Sequence, residues 1–69
     1  MLIKVTLLPH NREIQEVEMV QGTTCQDLLE KLELAYDAHI VTRSNEPISI
    51  DEELRDNDDI GIIKVVSGG

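Results

Sequence analysis

With 69 residues, one cysteine and 41% hydrophobic content, the chain is one domain near the lower size limit for a self-sufficient core, and no internal disulfide can staple it. Fourteen acids against six Lys and Arg give a net charge of −8, and Tyr36 is the only aromatic, so there is neither a basic stripe nor a stacking platform for nucleic acid. No apolar run reaches bilayer-spanning length, and Met1-Leu2-Ile3-Lys4-Val5 alternates instead of forming a leader's apolar block; a soluble cytoplasmic protein is expected, binding neither membrane nor nucleic acid.

Residues 2–8 read as a strand with Ile3, Val5 and Leu7 on one face. Pro9-His10-Asn11-Arg12 is a turn by composition. Residues 13–20 return as a second strand with Val17 and Met19 inward; Glu16 and Glu18 face water, placed to pair with Lys4. Gly22-Thr23-Thr24 breaks that strand and opens the one helix. Thr23 with Gln26 matches a capping box, and Asp27 falls in the first turn, where the helix dipole favours an acid. Cys25, Leu28, Leu29 and Leu32 form an apolar stripe at helical spacing, with Glu30, Lys31 and Glu33 outward and the end expected near Leu34.

After the loop Ala35-Tyr36-Asp37-Ala38, residues 39–43 form a third strand. Ser44-Asn45-Glu46-Pro47 is a turn and Ile48-Ser49-Ile50 a short fourth strand. An acidic connection over 51–59 is pinned by Leu54, expected to be buried. Residues 60–66 make the last strand, apolar on both faces, which suits a sheet centre or a face awaiting a partner. The order β-β-α-β-β-β predicts an α+β roll: a mixed sheet of four to five strands packed on one helix. Residues 1–66 form the domain and 67–69 a flexible Ser-Gly-Gly tail.

That tail is the most informative feature. Gly68 and Gly69 lack Cβ atoms, so this segment can enter a channel sized for bare backbone and leaves the last carboxylate unhindered. Ile60, Ile62, Ile63, Val65 and Val66 are the candidate docking residues. About half of these must be core, and the remainder, with Leu2 or Leu8, form an apolar patch beside the tail; Lys64 lets either register begin. Glu52, Asp58 and Asp59 are read as an acidic rim that tunes association rate.

Other chemistry is thin. Asp56-Asn57-Asp58-Asp59-Ile60-Gly61 begins like a calcium loop, but Ile60 and Ser67 stand where ligands are needed, and a solvated turn is the better reading. Cys25, near a helix N-terminus, is a candidate low-pKa thiol, though its place on the Leu28/Leu32 stripe favours a core residue. His10 and His39 have no Cys or second His at ligand spacing, and no phosphate loop or nucleophile–base set is present; no metal site and no catalytic residue is expected.

Three segments together resemble the β-grasp sulfur carriers, ThiS and MoaD, and their ubiquitin-like archaeal relatives. Gly22-Thr23-Thr24-Cys25-x-Asp27-Leu28-Leu29-x-x-Leu32 is similar to the family's Gly-x-Thr-Val-x-x-Leu-Leu-x-x-Leu helix entry. Leu54-x-Asp56-Asn57-Asp58 is similar to its Leu-x-Asp-Gly-Asp turn, and Val65-Val66-Ser67-Gly68-Gly69 to its Val-Ser-Gly-Gly or Val-Ala-Gly-Gly tail. Cys25 stands for the usual Val, Asn57 for a Gly, and Glu46 for a Gly after Asn45. The resemblance implies a ubiquitin-like β-grasp fold and a carrier that is not an enzyme and binds no cofactor. It further implies Ser67 and Gly68 as the tail-recognition residues, an E1-like enzyme that uses ATP to adenylate Gly69, a sulfur donor that displaces AMP to leave a thiocarboxylate, and thiazole synthase or the molybdopterin synthase large subunit as recipient. The free carrier is expected to be a monomer. The alternative is a ubiquitin-like modifier joined through Gly69 to target lysines.

Overall fold

The structure is a computed structural model and describes residues 1–8 and 13–65. The turn expected at 9–12, and Val66, Ser67, Gly68 and Gly69, lie outside the described residues.

Strand β1 (Leu2–Leu8) alternates as its sequence does, with Ile3 and Val5 fully buried and Leu7 packed against the core edge. β2 (Ile14–Glu18) pairs antiparallel to it in a register that sets Lys4 opposite Glu16. Helix α1 (Cys25–Lys31) buries Cys25, Leu28 and Leu29. A short 3₁₀ turn (Tyr36–Ala38) leads into β3 (His39–Arg43), then β4 (Glu46–Ile48) and β5 (Asp59–Lys64). The five strands form one sheet in the order β2-β1-β5-β3-β4, with β1 and β5 parallel and the other neighbours antiparallel. This is the mixed sheet of a ubiquitin-like β-grasp fold. The two-sided apolar run of β5 is explained by its central position, and α1 covers one face with Ile3, Val5, Val41, Ile60 and Ile62 beneath it. Met19 and Leu54 complete this core.

The structure corrects four local expectations. The capping box is one residue later: Thr24 N–H donates to Asp27 Oδ2 (2.9 Å) and Asp27 N–H to Thr24 Oγ1 (3.3 Å). Thr23 is held outside the helix because its carbonyl accepts from Leu54 N–H (2.8 Å), while Thr24 bridges to Glu53. The helix stops at Lys31, short of Leu34, since Glu33 takes a left-handed conformation (φ 59°). Leu34 N–H then donates back to the Leu29 carbonyl (2.8 Å) and Glu33 N–H to that of Glu30 (3.1 Å). These two bonds make a Schellman ending that folds Leu34 onto the core.

The turn after β3 needs only two residues, Ser44 (φ 50°) and Asn45 (φ 70°), so Arg43 pairs with Glu46 and β4 begins two residues earlier than the sequence implied. Pro47 is tolerated within β4 because that strand is a sheet edge. Finally, Asp56 and Asn57 form the exposed turn expected at the start of the 56–61 segment, but Asp58 beside them is not solvated. Asp58 is only 9% exposed, and its carboxylate accepts from Arg55 N–H (2.8 Å) and from Arg43 Nη2 (3.0 Å) and Nε (3.3 Å). Arg43 Nη2 also donates to the Glu53 carbonyl (2.6 Å), which ties the connection to β3. Asn57 has φ 65°, the left-handed conformation for which its Gly-like role calls.

Candidate functional site: the outer sheet face and the base of the tail

Alternation along β5 decides which of its residues are available. Ile60 and Ile62 are buried at 0% and 1% exposure, so they belong to the core and not to a docking surface. Ile63 is half-buried and Val65 exposed, while Val66 lies outside the described residues. Lys64 shares the inward parity of Ile60 and Ile62 but emerges into solvent at the strand end.

The sheet face away from α1 is laid out by register. Ile63 has Leu8 beside it on β1 and Ile40 beside it on β3, giving an apolar row across three strands. Leu2 sits six residues from Leu8 along the same strand, about 20 Å away; Leu8 is therefore the β1 member of the patch. Ile40, 43% exposed, belongs to this row, turned outward by its alternation with the buried Val41; the sequence of β3 assigns neither residue a face. The adjacent row runs Ile14, Thr6, Gly61, Thr42 and Pro47, and the next holds Glu16, Lys4 and Asp59.

The base of the tail is fixed from two sides. Val65 N–H donates to the Ala38 carbonyl (2.9 Å), and Lys64 pairs with His39 across the β3–β5 ladder. His39 Nδ1 lies 2.7 Å from the Ala35 carbonyl; since a carbonyl only accepts, Nδ1 carries the proton and donates. Val65, the last described residue, is thus tied by its N–H to the turn before β3.

The remaining candidates divide. Cys25 is fully buried, and burial pushes its thiol above the ordinary value, the Arg43 guanidinium opposing this in part; it is a core residue and not an activated nucleophile. Of the acidic rim, Asp59 is exposed, Glu52 pairs with Arg43 Nη1 (3.6 Å), and Asp58 is withdrawn into the fold as a structural partner of Arg43. Among the described residues no group of three or more His, Cys, Asp or Glu is arranged to hold a metal ion, and no helix is long and apolar enough to cross a membrane.

Comparison with known proteins accords with this architecture. The model of the ThiS family matches residues 5–69. SAMP1 from Haloferax volcanii superimposes with a TM-score of 0.76 at 20% identity, each chain covered in full. A ubiquitin of Caldiarchaeum subterraneum gives 0.73 at 19% identity, covering 100% of this chain and 98% of that one. A ubiquitin-like protein from the same hyperthermophilic archaeon gives 0.64 at 18%, covering 99% and 100%. At such identities the structural likeness is one of fold. No curated protein matches the sequence.

Proposed function

The chain belongs to the ThiS family, and from that premise we propose that it is a sulfur carrier whose Gly69 carboxylate is adenylated by an E1-like enzyme and converted to a thiocarboxylate. Small proteins of this ubiquitin-like class are carriers or modifiers rather than enzymes. The observation that carries the reading is the family match extending through Gly68 and Gly69. Adenylation at the expense of ATP replaces a poor oxide leaving group with AMP, which a sulfur donor then displaces. The thiocarboxylate delivers sulfur to thiazole synthase in thiamin synthesis or to the molybdopterin synthase large subunit. The carrier contributes position. Its rigid head offers the Leu8–Ile63–Ile40 row as a handle, while Ser67 and the Cβ-free Gly68 and Gly69 enter the partner's channel.

Incubating the protein with the E1-like enzymes of its own genome, ATP and a sulfur donor should produce a mass gain equal to one oxygen-to-sulfur exchange at the C-terminus. A bulky residue at Gly69 should abolish that gain without altering the fold. A chain that remains a plain carboxylate with every such enzyme counts against the proposal.

A second reading is favoured by the likeness in fold to a ubiquitin and a ubiquitin-like protein of Caldiarchaeum subterraneum. Here the same activated Gly69 is joined to lysines of other proteins. Tryptic digests of cell extract would then carry a branched remnant ending in Gly69 on target lysines; its absence under varied growth conditions removes this reading and leaves the carrier.

A further inference from the structure

β5 is the central strand, yet the middle residue of its outward face is Gly61. Glycine in a strand interior costs about 0.5–1 kcal/mol relative to alanine, and its presence there often marks close approach by another group. No left-handed backbone angle requires it at this position. What Gly61 does is leave a hole. A depression of about 260 Å³ opens above it, with Thr6 and Thr42, its register partners on either side, as walls. Leu8 closes one end and Ile14 stands behind Thr6, whereas Asp59 and Asn45 line the opposite end. A Cβ on Gly61 would lie 2.6 Å from Thr42 Oγ1 and fill the floor.

The chemistry changes along the depression, from aliphatic at Leu8 to carboxylate and amide at Asp59 and Asn45. Two residues of strand separate Gly61 from Asp59, about 7 Å, which is the reach of a long side chain whose stem lies on the glycine. Among the described residues neither the Asp59 carboxylate nor the Asn45 side chain is engaged in a hydrogen bond or ion pair. Lys4 lies between Glu16 and Asp59 in its row, two acids to one base, so this end stays negative on a chain of net charge −8. A partner with an aliphatic stem and a cationic head fits both ends. Two separate acceptors lining one depression suit the several N–H donors of a planar guanidinium better than the point charge of an ammonium.

We propose that the Gly61 depression is a socket for one arginine side chain of the protein that docks on the outer sheet face. The identity of that protein as the activating enzyme rests on the carrier reading; the socket itself does not. The stem packs over Gly61 between Thr6 and Thr42 against Leu8, and the guanidinium donates to Asp59 and Asn45. Gly61 is in this way a specificity-determining residue, because any side chain there evicts the arginine.

The test uses the intact chain, with N-acetyl-arginine amide as probe and backbone amide NMR shifts as readout. Saturable shifts are expected at Gly61, Thr6, Thr42 and Asp59 and none on α1. The uncharged isostere, N-acetyl-citrulline amide, should bind about tenfold more weakly, as should Asp59→Asn, the equivalent of about 1.4 kcal/mol for a charge-assisted contact. The double variant Gly61→Ala/Thr42→Ala removes the 2.6 Å clash while still filling the floor; it should fold and lose the probe, whereas Thr42→Ala alone should keep it. Equal binding of citrulline, shifts centred elsewhere, no shifts, or retention of the probe by the folded double variant would overturn the socket. An enzyme assay separates the two proposals. Activation of the double variant with unchanged KM refutes the activating enzyme as the source of the arginine and leaves the carrier standing; a wild-type chain that binds the probe but is never activated keeps the socket and counts against the carrier.

Discussion

Replacing Arg43 by Met removes the cation from the pair with Asp58 while keeping the aliphatic stem. The two side chains are 16% and 9% exposed, so this is a pair mostly withdrawn from water, not a surface ion pair of little value. Arg43→Met deletes two charge-assisted hydrogen bonds to Asp58 and the one to the Glu53 carbonyl, leaving the carboxylate with only the Arg55 N–H. Breaking a buried pair from one side costs about 3–5 kcal/mol, and residual exposure at the guanidinium argues for the lower end, about 3 kcal/mol. Asp58→Asn should cost less, since Glu52 still faces Arg43 at 3.6 Å and the amide oxygen still accepts from Arg55 N–H. The double variant should therefore lose less than the sum of the two. Urea denaturation of the four proteins, read by far-ultraviolet circular dichroism, closes the cycle. A loss below about 1 kcal/mol for Arg43→Met, or strict additivity, would show that Arg43 and Asp58 act as solvated charges and refute the reasoning.

Glu33→Gly should raise stability by about 1 kcal/mol, seen as a higher urea midpoint, because glycine adopts the φ of 59° without the Cβ penalty; a lower midpoint would mean the Glu33 side chain makes an unrecognised contribution. Burial raises the Cys25 thiol pKa, so the folded state holds its proton after the unfolded state has begun to lose it. The stability this gives is complete below the ordinary value of 9.0 and is lost as pH rises beyond it; Cys25→Ala should flatten that alkaline decline in a pH series of melting curves. Ile40→Asp, at 43% exposure, should leave the melting temperature within a few degrees of wild type but weaken binding to the activating enzyme by about 2 kcal/mol, measured by calorimetry; full affinity would move the handle off this row.

Hydrophobic period made most of the fold legible. The alternation of Ile3 and Val5, the Cys25–Leu28–Leu29 stripe and the two-sided last strand carry information that needs no tertiary context. Two of the misread points share a physical cause, in that a contact far along the chain decides a local choice, and the other two turn on backbone angles that the residue type does not announce. Thr23 and Thr24 both have a suitable partner three residues on, and only the bond from Leu54 N–H excludes Thr23. Nothing in Glu33 or in Ser44 announces a positive φ, because glycine, the usual signal, is absent at both. The Arg43–Asp58 pair spans fifteen positions, so an acidic stretch that reads as solvated is partly interior. For the candidate site, the outward parity of β5 was hidden by Lys64, which shares the phase of the buried residues; pairing with β1 and β3 resolved it. The tail, read most strongly from sequence, lies beyond the described residues.

Because β5 lies between β1 and β3, the chain without it is two hairpin-like halves, β2 with β1 and β3 with β4, that share no backbone ladder. The strand that unites them is the last of the named elements to be synthesised. Its parallel register with β1, Lys4 to Asp59 through Leu8 to Ile63, closes a loop of 55 residues, a separation read directly from those pairs. Contacts of such high order form late in folding. The Leu8–Ile63–Ile40 row, drawn from three strands on both sides of that closure, exists only once it is complete. A nascent or misfolded chain displays its apolar residues without their arrangement. A partner gripping the row would therefore read the completed fold and not any one segment of it.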